Sequence, residues 1–173
     1  MTEQPVAIVA APTPNFTVTD QRHLRRVLGT FPTGVALVTA RNRDEDHGLV
    51  VNSFSSVSLD PPLVAFCAGE ASTTWPHIRQ AGRCAISFLD ENQSDLCRSF
   101  TRKDAERFSR HEWERASSGV LIPQGMVGWL DCTIEMVTRA GDHDMVVLAV
   151  IDGGSGPSDN PLIFHGGMLG GLA

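Results

Sequence analysis

Four groups of residues in this chain have the types and spacing to do chemistry. The densest runs from Gly48 to Pro62, where β-branched Val50, Val51 and Val57 are interleaved with Asn52, Ser53, Ser55, Ser56 and Ser58 before a double proline. A segment this rich in Ser and Asn gives up apolar packing and offers hydroxyls, an amide and backbone N–H groups to something polar and flat. The same pattern also describes an edge strand feeding a turn. Ser72-Thr73-Thr74 sets hydroxyls and free N–H groups at a helix start, which is half of a phosphate site or a simple N-cap. Residues 98–115 carry six basic side chains (Arg98, Arg102, Lys103, Arg107, Arg110, Arg115) against four acidic ones, leaving eight basic against sixteen acidic elsewhere. A basic spot on an acidic molecule favours a small anionic ligand over a polymer, with a solvated, ion-paired helix face as the plainer alternative. Gly141-Asp142-His143-Asp144 places an imidazole just past a tight turn. It is either a solvated turn residue or a group facing a pocket, in contact with a substrate or a second cofactor.

Other chemistries lack their residues. There is no G-x-S-x-G elbow, no acid pair at a recognisable spacing and no Tyr in the chain. Cys67, Cys84, Cys97 and Cys132 form no C-x-x-C pair, and the six histidines form no H-E-x-x-H. Metal chemistry is therefore not expected, and reduced, mostly buried thiols are. If the protein is an enzyme, a cofactor carries the reaction. The formal charge of −6 argues against nucleic acid, whose phosphates need clustered Lys and Arg. No apolar run approaches the roughly 20 residues of a membrane span. The N-terminal MTEQPVAIVAAPTP has no basic region of a signal peptide, so the cytoplasm is the expected location.

The elements that must position these groups follow from periodicity and punctuation. Residues 1–18 read as a flexible arm, and 19–173 as a single domain. Asp20 is a good N-cap for a helix whose apolar face is Leu24, Val27, Leu28 and Phe31, with Gly29 as its C-cap. Gly34–Ala40 reads as a strand, 41–47 as a charged hairpin loop, 48–59 as the hydroxyl-rich strand and Leu63–Cys67 as a third strand. Ser72 is the expected N-cap of a second helix that Gly82 closes, followed by a strand over 83–89. Asp90 with Gln93 fits a capping box for a third helix towards Phe100. Strands are expected over 127–138, 144–152 and 162–165, with Gly141-Asp142 as the turn between the first two. The glycine-rich stretches 153–156 and 166–171 read as loops, not dinucleotide fingerprints. Many short strands with helices between them predict a mainly β protein, a closed or split antiparallel barrel of Greek-key type.

At this point the residues resemble a known family. Phe31-Pro32-Thr33-Gly34-Val35, the block Asn52 to Val64, Ser72 to Thr74, Phe100, Arg107-Phe108, Gly141-Asp142-His143 and Pro161 to Gly167 stand in the order found in the short-chain flavin reductases, the reductase partners of two-component monooxygenases. The family commonly has Thr where this chain has Val50. The resemblance implies an FMN-binding split β-barrel that binds FMN or FAD, usually as a homodimer. It further implies reduction of the flavin by NADH or NADPH and diffusive delivery of reduced flavin to a monooxygenase. On that likeness Thr33, Val50, Val51, Asn52, Ser53, Phe54, Ser56 and Val57 meet the flavin ring. Ser72, Thr73 and Arg107 take the phosphate, Phe100 belongs to the same site, and Gly141, Asp142 and His143 lie on the nicotinamide side. A flavin carrier or sensor of the same fold, without turnover, is the alternative.

Overall fold

The structure, a computed structural model, describes residues 20–172; the expected arm over 1–18 lies outside the described residues. Three helices, α1 (Gln21–Gly29), α2 (Trp75–Ala81) and α3 (Ser94–Arg102), accompany twelve strands. The strands are β1 (Thr33–Gly34), β2 (Ala36–Asn42), β3 (Glu45–Val51), β4 (Ser55–Leu59), β5 (Pro62–Gly69), β6 (Arg83–Phe88), β7 (Trp113–Arg115), β8 (Leu121–Pro123), β9 (Gly128–Ala140), β10 (His143–Ser155), β11 (Ile163–His165) and β12 (Met168–Gly170). Seven of them form one antiparallel sheet in the order β3-β2-β6-β9-β10-β5-β4. The β9–β10 hairpin inserts between β6 and β5, giving the Greek-key character expected. The strands at the two margins, β3 and β4, are consecutive in the chain, so the sheet must curl until its edges approach. This is the antiparallel barrel expected, with a seam between β3 and β4 that no ladder closes.

That seam corrects the reading of 48–59 as one strand. The chain leaves β3 at Val51, crosses the opening through Asn52, Ser53 and Phe54, and resumes as β4 at the far margin. Ser53 makes the crossing hold. β4 pairs with β5 at Ser55↔Ala65, so the next position opposite Cys67 is residue 53. There the Ser53 hydroxyl accepts from the Cys67 N–H at 2.9 Å and donates to its carbonyl at 3.3 Å. A side chain thus satisfies both peptide groups that a continuing strand would have satisfied.

Other expectations are corrected in detail. The hairpin loop over 41–47 shrinks to Arg43 and Asp44, at φ 50° and 68°, because both residues adopt the left-handed conformation that matches strand twist. Arg41 and Asp46 pair across that hairpin. Asp20 caps α1 as expected, accepting from the N–H groups of Arg22 and His23, but the helix runs through Gly29 and its C-cap is Thr30 in right-handed geometry. The apolar face of α1 is not core: Leu28 is 64% and Phe31 71% exposed. Residues 153–155 are strand, not loop, and a Cβ on Gly153 would sit 2.8 Å from the Trp129 carbonyl oxygen, which is why glycine stands there. Met168–Gly170 likewise forms β12 rather than a loop. The capping box forms, with Asp90 and Gln93 bonded reciprocally, but it caps a short 3₁₀ turn over Glu91–Gln93, and α3 follows from Ser94 with no side-chain cap of its own.

Two apolar layers flank β3. Inside the barrel, Leu49 and Val51 face Val38, Val64, Phe66, Ile86, Val146 and Leu148. α2 joins this layer with Trp75 and Ile78, and Trp75 meets Phe66 edge-on at 5.9 Å while its indole N–H donates to Asp144. Burying each such large side chain stabilises by roughly 1.5–3 kcal/mol. On the other side, Val35, Leu37, Leu89, Leu96, Cys97, Phe100 and Leu162 pack with Val50, Phe108 and Phe164. Alternation along β3 thus sends odd residues to the barrel and even ones to α3.

Candidate functional site

Asn52 is where the geometry converges. It lines a cavity of about 650 Å³ with Val35, Val50, Arg102 and Phe164. It also lines one of about 490 Å³ with Thr33, Phe31 and Gly167, and one of about 200 Å³ with Ser53, Cys67, Gly69 and His143. Three hollows meeting at the link between β3 and β4 make a continuous groove along the barrel seam. Its volume suits a flat, drug-sized ligand with a second ring beside it. The Asn52 side chain is exposed to this groove and makes no hydrogen bond among the described residues. Thr33 Oγ1 is buried with no partner among the described residues. A buried hydroxyl without a partner is uncommon, and here it lies where a ligand would complete it.

The other expected residues divide. Val50, Val51, Asn52 and Ser53 share the smallest cavity with His143, so the hydroxyl-rich block and the Gly141-Asp142-His143 turn do come together. The turn is held by Asp142, whose carboxylate meets His143 Nδ1 at 2.8 Å. That hydrogen bond holds the Asp142 carboxyl below its ordinary range. It also leaves Nε2 on the far side of the ring, near Gly69, where a Cβ would lie 3.5 Å from it. Phe54 packs edge-on against Phe88 at 4.8 Å and supports the link from beneath. Ser56 and Val57 line none of these three cavities, because they lie on the outer strand β4 at a register shift.

Ser72, Thr73 and Arg107 line none of the three cavities, and each has partners other than the expected ones. Ser72 Oγ accepts from the N–H groups of Thr74 and Trp75, so it caps α2 from outside, and Thr74 is the residue in the N-cap position. Thr73 Oγ1 accepts from Lys103 Nζ at 2.9 Å, a residue not singled out from the sequence. Arg107 donates to the Asp104 carbonyl and lies over the Phe100 and Phe108 rings at 5.8 and 5.6 Å. Among the described residues, Lys103 and Arg107 form no ion pair. Phe100 is buried and lines none of the three cavities; it is the plate on which Arg107 rests, T-shaped against Phe108 at 5.0 Å and Trp113 at 6.0 Å.

Gly48 lets Phe100 take that place. A Cβ there would overlap the ring, only 2.7 Å from Cδ1, and the ring cannot retreat because Phe108 and Trp113 hold it. Gly48→Ala is therefore expected to cost about 1–3 kcal/mol by overpacking. It should also loosen Arg107. Urea unfolding measures the first effect; an unchanged midpoint would show that Phe100 has room this geometry denies it.

Comparison with known proteins identifies the chain's relatives. A flavin reductase like domain is matched over residues 28–173. A flavin reductase of Pseudomonas putida is 41% identical over 155 residues, covering 89% of this chain and 91% of that protein. The reductase subunit HsaB of a flavin-dependent monooxygenase of Mycobacterium tuberculosis is 35% identical over 155 residues, 88% of this chain and 83% of that one. The Streptomyces globisporus C-1027 NADH:FAD oxidoreductase SgcE6, solved in complex with NAD and FAD fragments, superposes with a TM-score of 0.84 at 34% identity. That superposition covers 89% of this chain and 93% of the other. With a family match running from the end of α1 to Ala173, this chain belongs to the flavin reductase like family.

Proposed function

We propose that this protein is an NAD(P)H-dependent flavin reductase that reduces FMN or FAD in the seam groove and releases the reduced flavin to a partner monooxygenase. The observation that carries the reading is Asn52 at the meeting point of three cavities, with the Thr33 hydroxyl across the groove, neither of which has a partner among the described residues. These residues fit a flavin: an amide and a hydroxyl for a polar ring edge, apolar Val50 and Val35 for its faces, and cations at Lys103 and Arg107 for a phosphate. Bound flavin supplies the redox chemistry, taking a hydride from a reduced nicotinamide. The chain's own part is to hold two rings face to face with reacting atoms about 3–3.5 Å apart and to aim N–H donors where negative charge develops. His143 sits at the other end of the smallest cavity, on the nicotinamide side of this arrangement.

A homodimer belongs to the proposal. The exposed Leu28 and Phe31 on and just after α1 border the 490 Å³ cavity, so a second copy laid on that face would cover the apolar residues and roof the groove together. Sedimentation velocity should show a dimer.

Repeated bleaching of the flavin band at about 450 nm on adding NADH or NADPH, with recovery in air, tests the function. A carrier or sensor would bind flavin and show no such cycle. His143→Ala is expected to raise the KM for the pyridine nucleotide about tenfold, the worth of one hydrogen bond, with flavin affinity nearly unchanged. An unchanged nucleotide dependence would remove His143 from the site.

A further inference from the structure

The outer edge of β3 carries a second set of groups that line none of the three cavities. His47, on β3, stacks flat on His77, in the first turn of α2, with ring centroids 4.3 Å apart and planes 7° from parallel. Neither imidazole has a hydrogen-bond partner among the described residues. Next to His47 is Gly48, on which Phe100 lies, and Arg107 rests on Phe100. Four residues before His77 is Thr73, and Lys103 reaches it from the end of α3. Two imidazoles on the α2 face of β3, a hydroxyl and an ammonium just before α2 and at the end of α3, and a guanidinium on the α3 face therefore gather from both faces around the outer edge of the marginal strand. There Arg107 is close enough to act on His47, and, among the described residues, the peptide groups pair with no strand.

Such a collection of positive and protonatable groups costs free energy unless something anionic joins it. The charged groups acting on His47 are His77, Arg107, Glu45 and Asp46. Burial, followed by the His77 ring, holds its proton affinity below the ordinary imidazole value, with Glu45 and Asp46 opposing and Arg107 assisting. Glu45 and Asp46 sit at the hairpin end of β3, and Asp46 is already paired with Arg41. They do not discharge Lys103 or Arg107.

We propose that the stacked His47–His77 pair, with Lys103 and Arg107, is a proton-linked anchor for the phosphate of the flavin. It deepens the flavin-reductase reading and rests on it. An anion seated among these groups makes protonation of one stacked imidazole favourable where it was unfavourable before, so binding takes up a proton. By linkage, phosphate-bearing flavins then bind more tightly as pH falls through the imidazole range. Riboflavin, which has no phosphate, gains nothing.

The test is flavin affinity, read by fluorescence quenching, from about pH 8 to about pH 6, the range in which imidazole titrates. FAD is the cleanest probe, since its diphosphate keeps its charge across that range, whereas the FMN monoester itself titrates near pH 6. FAD affinity should rise roughly five- to tenfold over the interval in the wild type, as expected for one linked proton. Riboflavin affinity should stay flat. His77→Asn and His47→Asn should abolish the slope, and His77 is exposed, so its variant keeps the test alive if His47→Asn does not fold. Lys103→Gln should weaken FAD at every pH and leave the slope in place. An unaltered slope in His77→Asn, or an equal slope for riboflavin, would overturn the assignment. So would a slope confined to the KM for NADH, which would give the pair to the pyridine dinucleotide. Wild-type protein that bound no flavin at all would instead remove the reductase reading beneath it.

Discussion

Asn52→Asp is expected to lower kcat/KM for flavin reduction by about a hundredfold while leaving the folded state intact. The substitution changes no shape; it replaces two N–H donors by a carboxylate at the point where the three cavities meet. Reduction deposits negative charge on the ring, so the new carboxylate opposes the transition state more than the ground state. At a separation of about 5 Å and an effective dielectric of roughly 20, the repulsion is about 3 kcal/mol, which corresponds to about two orders of magnitude in rate. Asn52→Ala, which removes the donors without adding charge, should cost about tenfold. Both variants should melt with the wild type, since the side chain is exposed and anchors nothing. Steady-state kinetics with either flavin decides the matter: an Asp variant as active as the Ala variant would move the electron-rich part of the ligand away from residue 52.

The largest stability effect is expected on the opposite wall. Asp131 of β9 is fully buried, and Arg83 of β6 reaches it with two hydrogen bonds of 3.0 Å. Burial alone would raise its pKa, but the Arg83 and Ser118 hydrogen bonds outweigh that and hold the carboxyl below its ordinary range. Asp131→Ala should destabilise by about 3 kcal/mol, the lower part of the range for a broken buried pair, because the Arg83 side chain is 39% exposed and can be rehydrated. Equilibrium urea unfolding provides the number; a loss below about 1 kcal/mol would show the pair to be neutral. The pH dependence has a fixed sign. A carboxyl whose folded pKa is depressed contributes in full above its unfolded pKa of about 3.9, and that contribution disappears as pH falls through the folded value. The gap between wild type and Asp131→Ala should therefore be constant near neutrality and narrow only below about pH 4.

Much of this molecule could be read from local sequence because local chemistry fixes it. Asp20 and the Asp90–Gln93 box announce helix starts through their own hydrogen bonds, and Gly141-Asp142 announces a turn through backbone geometry. The break at Asn52 could not be read that way. Val50, Val51 and Val57 have the composition of one strand, and only the curling of a seven-stranded sheet, a property of pairings far apart in sequence, sends them to opposite margins. The glycines at 153 and 154 look like a loop until Trp129 and Leu130 are seen pressed against their backbone. In the site, Asn52, Thr33 and His143 were visible as residue types that could meet a ligand. Lys103 stood in the basic run without distinction from its neighbours. His47 and His77 carried no signal at all, since thirty residues separate them and only the packing of α2 on β3 lays one ring on the other.

The link of three residues between β3 and β4 acts as a ruler. Its extended reach, roughly 10 Å, limits how far the lips of the opening can part, and it does so through covalent bonds rather than through packing that relaxes. Drift in the apolar interior should then alter melting temperature while leaving the aperture as it was. One residue inserted beside Phe54 would do the reverse, widening the mouth for bulkier electron acceptors at little cost to folding.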